Sequence, residues 1–193
     1  MHKQNFLISK NWLTKFACFV GIAGVTTLIS VPVLAKFFPR YALFQPSAYS
    51  TYPYRTSDNN IASTLSGDSK FANLAEELKQ AHLMETLKKP GKFTIFAPTN
   101  TAFNALSKDT FKRYSESDNR LRVLKYHLVA GEVTKQDVDR GTIATVEGTP
   151  VRVTVDQDTV KLNDAITQHP SIVTKNGVII EIDKVLLPVS YTH

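Results

Sequence analysis

Cysteine is almost missing from this chain. Its 193 residues hold one, Cys18, inside an apolar N-terminal stretch. The remainder has no thiol, which excludes a disulfide framework and a Cys-based metal site. A lipid-bearing cysteine is also a poor reading, because such a residue follows its apolar stretch and most of this stretch follows Cys18. Excess charge of one sign is weak. The net +6 comes from 23 basic and 17 acidic residues, and Lys3, Lys10 and Lys15 precede or open the apolar stretch. The remainder carries 20 basic against 17 acidic residues, interspersed, so no nucleic-acid partner is expected. The phosphate-binding loop, the dinucleotide glycine fingerprint and the G-x-S-x-G elbow are all lacking. There is no Asn-x-Ser/Thr sequon.

What is present begins with a leader. After the three lysines an apolar run extends from Phe16 to Ala35 and ends in Val33-Leu34-Ala35. Basic segment, apolar segment and small residues come in the order of a secretory signal peptide, with mature protein expected to begin at Lys36. If uncleaved, residues 16–35 are about long enough to act as a signal anchor, since a span needs ~20 apolar residues. Either way the basic flank stays inside and the rest is exported. Residues 36–59 then carry Pro39, Pro46 and Pro53 and the tyrosines 41, 49, 52 and 54 without helical or strand period. They read as an extended Pro/Tyr-rich linker.

From residue 60 the pattern is globular. Asp68 is placed to cap a helix, and Phe71, Leu74, Ala75 and Leu78 follow as one apolar stripe. Phe93–Ala97 reads as a buried strand stopped by Pro98, with Thr99 capping a short helix that carries Phe103. A further helix is expected over Ser117–Tyr126. Later, Val151, Val153 and Val155 alternate with polar residues, Asp156-Gln157-Asp158 turns the chain, and Val160 and Leu162 return. Asn176-Gly177 between two apolar runs signals a hairpin of type I′, which needs positive φ at both central residues. Helices first and strands later give an α+β domain, with antiparallel strands forming a wedge or sandwich against N-terminal helices. Residues 189–193 are left as a tail.

Three segments resemble one known family. Thr94-Ile95-Phe96-Ala97-Pro98-Thr99-Asn100-Thr101-Ala102-Phe103 is similar to the first signature of fasciclin domains. Leu124-Lys125-Tyr126-His127-Leu128-Val129 resembles their Tyr-His motif. Asn176-Gly177-Val178-Ile179-Ile180-Glu181-Ile182-Asp183 and onward to Pro188 resembles the second signature. They occur in family order over residues 60–188. Asn100 replaces the usual aspartate, and Ile180 stands where many members have histidine. The resemblance implies the fasciclin fold in a single-domain exported protein of bacterial type, the missing sequons agreeing. It also implies that the signatures serve folding: a cap at Thr99 or Asn100, a core plug at Phe103, a turn at Asn176-Gly177, and a bond from Asp183 to nearby backbone or a basic side chain.

As an interaction motif the resemblance singles out Tyr126 and His127, which in some animal members serve integrin adhesion. The alternative is that both knit a helix end to a strand. His82, His127 and His169 lack metal spacing, Asp156, Asp158 and Asp164 lack the features of a calcium loop, and Glu76 and Glu77 are expected to face solvent. No cofactor and no catalytic residue are expected. The function implied is a non-catalytic binding module for adhesion to a cell-surface or matrix protein or polysaccharide, secreted, periplasmic or at the cell surface. A periplasmic small-ligand carrier or sensor and a self-associating envelope protein are the alternatives.

Overall fold

The computed structural model describes residues 54–156 and 159–191. The leader, most of the Pro/Tyr-rich linker and residues 157–158 of the expected turn lie outside the described residues. Among those described, no helix is long and apolar enough to cross a membrane.

The helical half comes first. Strand β1 (Arg55–Thr56) leads into α1 (Ile61–Gly67), where the Asn60 side chain accepts from Ser63 N at 2.8 Å and closes the helix start. Asp68 caps a 3-10 turn over Ser69–Phe71, followed by α2 (Ala72–Gln80) and α3 (Met84–Lys88). The stripe read from the sequence is the buried face: Phe71, Leu74 and Leu78 are each at most 1% exposed. Strand β2 (Phe93–Pro98) is followed by α4 (Asn100–Asn104), α5 (Lys108–Tyr114) and α6 (Ser117–Tyr126).

Strands dominate the rest: β3 (Leu128–Ala130), the short helix α7 (Lys135–Asp139), β4 (Thr142–Ile143), β5 (Val151–Asp156), β6 (Thr159–Leu162), β7 (Ala165–Thr174) and β8 (Gly177–Ile182). The sheet order is β3-β2-β8-β7-β6-β5-β4, with β1 laid against β7. The fold is α+β, and its sheet is mixed. Expected antiparallel pairing holds for most neighbours, but β2 runs parallel to β8 and β1 parallel to β7. The parallel pair follows from connectivity. β2 and β8 lie some eighty residues apart in the chain, so no hairpin constrains their direction.

β2 and β8 are central and covered on both faces, which is why each reads as a continuous apolar run. Alternate side chains point opposite ways. Ile95, Ala97 and Ile179 enter a core with the helices, and Phe96, Val178, Ile180 and Ile182 enter a second core with β4–β6. The sheet centre therefore separates two apolar layers.

Two boundaries differ from the sequence reading. Arg55 and Thr56, assigned to the linker, pair with Ile172 and Val173. Tyr191, assigned to the tail, belongs to the helical core at 5% exposure, with the Arg113 guanidinium of α5 5.9 Å from its ring centre, because an aromatic ring carries a large apolar area to bury. The hairpin also differs. Thr174 pairs with Gly177, so the two loop residues are Lys175 and Asn176. Asn176 keeps a negative φ, and only Gly177 is positive, at 149°. The turn is not type I′.

Gly177 has a different reason to be glycine. A Cβ there would lie 1.9 Å from the Phe93 carbonyl oxygen, a contact with main chain that cannot give way. Gly67, by contrast, has nothing within 4 Å of its would-be Cβ. Gly177→Ala is therefore expected to lower stability by at least about 3 kcal/mol or to prevent folding. Gly67→Ala should change it by less than about 1 kcal/mol. Urea unfolding of both variants checks this; equal effects would show that the close approach is relieved at little cost.

Candidate functional site

The three signature segments meet at the sheet centre, and most of their inward-facing polar side chains are bonded within the domain. Thr94, 1% exposed, donates from its hydroxyl to Gly131 O at 2.9 Å and ties β2 to the turn after β3. Phe96 and Ala97 are fully buried. Pro98 ends the pairing with β8 opposite Ile182, itself fully buried. Thr99 caps α4 by accepting from Ala102 N, and Phe103 meets the Tyr114 ring edge-on.

Asn100 acts between helices rather than on its own. Its Oδ1 accepts from Asn73 N at 3.0 Å at the start of α2, and its Nδ2 donates to Ser69 O at 2.8 Å. The second bond needs an amide; an aspartate would set a carboxylate against a carbonyl oxygen. At the end of β8, Asp183 Oδ1 accepts from Ile166 N at 2.6 Å and holds the start of β7.

Asn176 joins three elements. Its Oδ1 accepts from Ile61 N at 2.8 Å, and its Nδ2 donates to Leu87 O at 2.8 Å and Lys89 O at 3.0 Å. The start of α1 and the end of α3 are thereby fastened to the β7–β8 turn. Sequence reasoning assigned this residue to turn geometry because nothing local marks a side chain whose partners lie 87 to 115 positions away.

Tyr126 and His127 are each 1% exposed, so they form no surface contact point. The Tyr126 hydroxyl donates to Pro150 O at 3.2 Å and accepts from Asn163 Nδ2 at 3.1 Å. His127 Nδ1 lies 2.7 Å from Val123 O, and its Nε2 lies 2.9 Å from Leu186 N. A carbonyl on one side and an N–H on the other require the neutral Nδ1–H tautomer, with Nε2 accepting. The ring thus pins the end of α6 to the segment after β8. Burial pushes the imidazole pKa down from 6.5 to about 4, against the opposing pull of the Val123 carbonyl.

One acidic residue is also corrected. Glu76 faces solvent, but Glu77 does not: its Oε2 accepts from the Tyr114 hydroxyl at 2.8 Å and lies 2.9 Å from Arg120 Nε. The helix turns by about 100° per residue, so adjacent glutamates meet different surroundings. Burial, and then Glu77, raise the Tyr114 pKa far above its usual value.

Among the recesses on the described surface, two have the volume of a small-ligand site. One, about 590 Å³, lies beside α4 and is lined by Ala102, Leu106, Val185 and Leu187, with Arg152 and Lys184 among its polar residues. The other, about 570 Å³, lies between β1, α1 and the 3-10 turn and is walled largely by hydroxyl and amide side chains. Among the described residues no three His, Cys, Asp or Glu side chains converge as metal ligands would.

The model of the fasciclin domain matches residues 69–188. The chain belongs to the fasciclin domain family. It is 34% identical over 147 residues to Protein sll1483 of Synechocystis, covering 75% of this chain and 82% of that one. It is 30% identical to Immunogenic protein MPB70 of Mycobacterium bovis, covering 91% and 94%. Human periostin is 28% identical over 69% of this chain, a match that takes in only 16% of periostin. Among solved structures, the domain pair of the insect cell adhesion molecule Fasciclin I superposes with TM-score 0.56 at 18% identity, over 70% of this chain and 53% of that one. That likeness establishes the fold.

The buried histidine makes stability depend on pH. Its folded-state pKa lies below its unfolded value, so the unfolded chain takes up the proton first. The contribution is complete above pH 6.5 and is lost as pH falls to about 4, amounting to about 3 kcal/mol. His127→Gln should be less stable than wild type near pH 7 by about 2 kcal/mol, with the gap closing toward pH 4.5. Urea unfolding at several pH values measures it; a gap that stays constant would contradict the neutral buried ring.

Proposed function

We propose that this protein is an exported, non-catalytic binding module that attaches to a cell-surface or matrix component. The observation supporting this reading is that the signature residues are spent on architecture. Tyr126, His127, Asn100 and Asn176 have their side-chain polar groups bonded within the domain, and Asp183 accepts a main-chain bond through Oδ1. Recognition is then left to the outer surface, whose residues are free to differ without disturbing the fold. Family membership supports the same direction, since the solved neighbour is a cell adhesion molecule. The secretory leader ending at residue 35 and the linker after it belong to this proposal, with residues 16–35 as anchor if they are retained.

A second reading has its own observation. The largely apolar recess beside α4 has a volume suited to a small molecule. It supports a small-ligand carrier, for which native mass spectrometry of freshly purified protein would show a bound mass.

The binding-module reading is tested with isolated cell envelopes and matrix polymers. Full-length protein should be retained saturably and well above an unrelated protein of equal net charge. Folded His127→Gln should be retained equally, because the histidine faces inward. No retention of the wild type would refute the reading. Selective loss in the folded variant would return the Tyr-His pair to a recognition role.

A further inference from the structure

The recess between β1, α1 and the 3-10 turn is polar in a particular way. Thr56, Asn59, Ser63 and Ser69 line it, and their side chains make no hydrogen bond to other described residues. Its charges, in contrast, are matched. Arg55 Nη1 lies 3.9 Å from Asp68 Oδ2, and Lys70 pairs with Glu181. Unspent capacity is therefore mostly neutral and of both kinds, since a hydroxyl donates one bond and accepts two and an amide does both.

The walls are also held in place. Ser57 N donates to Val173 O at 2.8 Å, fixing β1 on the sheet, and Ser57 Oγ meets Thr64 Oγ1 at 2.9 Å, joining β1 to α1. Ile172 and the bare edge of Gly67 supply the less polar part of the lining. A volume of about 570 Å³ falls within the usual range for a small-ligand site.

We propose that this recess is a subsite for a neutral saccharide segment. A sugar presents hydroxyls that both donate and accept, and a C–H face for the apolar wall. An anion would need an uncompensated cation, and both cations here are paired. The proposal rests on the binding-module reading and names its ligand class. Bonds to the sugar replace bonds to water, so each contributes little, and affinity accumulates over several sugar units.

Calorimetric titration of the full-length chain provides the test, using cellohexaose, maltohexaose and chitohexaose as neutral probes and a galacturonate hexamer as the acidic one. At least one neutral probe should bind. Raising NaCl from about 50 to about 500 mM should alter its affinity less than about twofold, because screening acts on net charge. Gly67→Leu extends a side chain into open space at the recess and should weaken binding at least about tenfold, a loss of about 1.4 kcal/mol, with the unfolding midpoint kept. Asn59→Ala, at an exposed position, should weaken it about threefold and guards against misfolding of the first variant. Failure of all three neutral probes, indifference to both substitutions, or a preference for the acidic hexamer that collapses with salt would overturn the assignment. Envelope retention that persists unchanged in Gly67→Leu would overturn the subsite and leave the binding module standing. Absence of envelope retention in the wild type refutes the module itself.

Discussion

The molecule depends on how closely β8 can lie against β2. These strands run parallel at the middle of the sheet, and Gly177 opposite Phe93 sets their approach. With no side chain at Gly177, the Phe93 carbonyl occupies space that a Cβ would need. That contact starts a six-residue register ending at Pro98 and Ile182. Apart from Pro98 at its end, each large apolar residue in the register then falls into or packs against one of the two cores. A slip of one residue would exchange the faces and empty both.

Buried polar side chains complete what the register begins. Asn176 fastens α1 and α3 beside the Gly177 end, and His127 fastens α6 beside the chain leaving the other end. Each takes part in a fully bonded arrangement, so its burial does not strand a donor or acceptor. Removing such a residue costs more than the bonds themselves, because the groups left behind remain buried. The signatures of the domain therefore mark places where long-range connections would fail without a particular side chain.

Local chemistry was legible in the sequence where neighbouring residues decide it. The Phe71–Leu78 stripe, the strand stopped near Pro98, the Thr99 cap, the Ser117–Tyr126 helix and the alternating valines all have their cause within a few positions. The α+β class follows from their order. Relations across the chain were not legible. The parallel β2–β8 pairing, the seat of β1 on β7 and the three bonds of Asn176 depend on residues brought together only by folding. Asn176-Gly177 shows the difference well: the dipeptide reads as a turn type, yet the amide bridges helices and the glycine admits a neighbouring carbonyl. The burial of Tyr126 and His127 was open to either reading, because such residues serve surfaces and cores alike.

This division between framework and surface bears on how recognition can change. The family match begins at residue 69, whereas β1, α1 and most of the wall around the hydroxyl-lined recess precede it. That wall is connected to the framework through main-chain bonds, such as Ser57 N to Val173 O, and through the buried face of α1. Main-chain bonds do not depend on which side chain a residue carries. Thr56, Asn59 and Ser63 can therefore be exchanged for other residues without loosening the sheet or emptying a core. Gly177, Asn176 and His127 have no such freedom, since each is required by its own atoms. A domain built in this way can alter its outer face while the constraint at its centre stays in place.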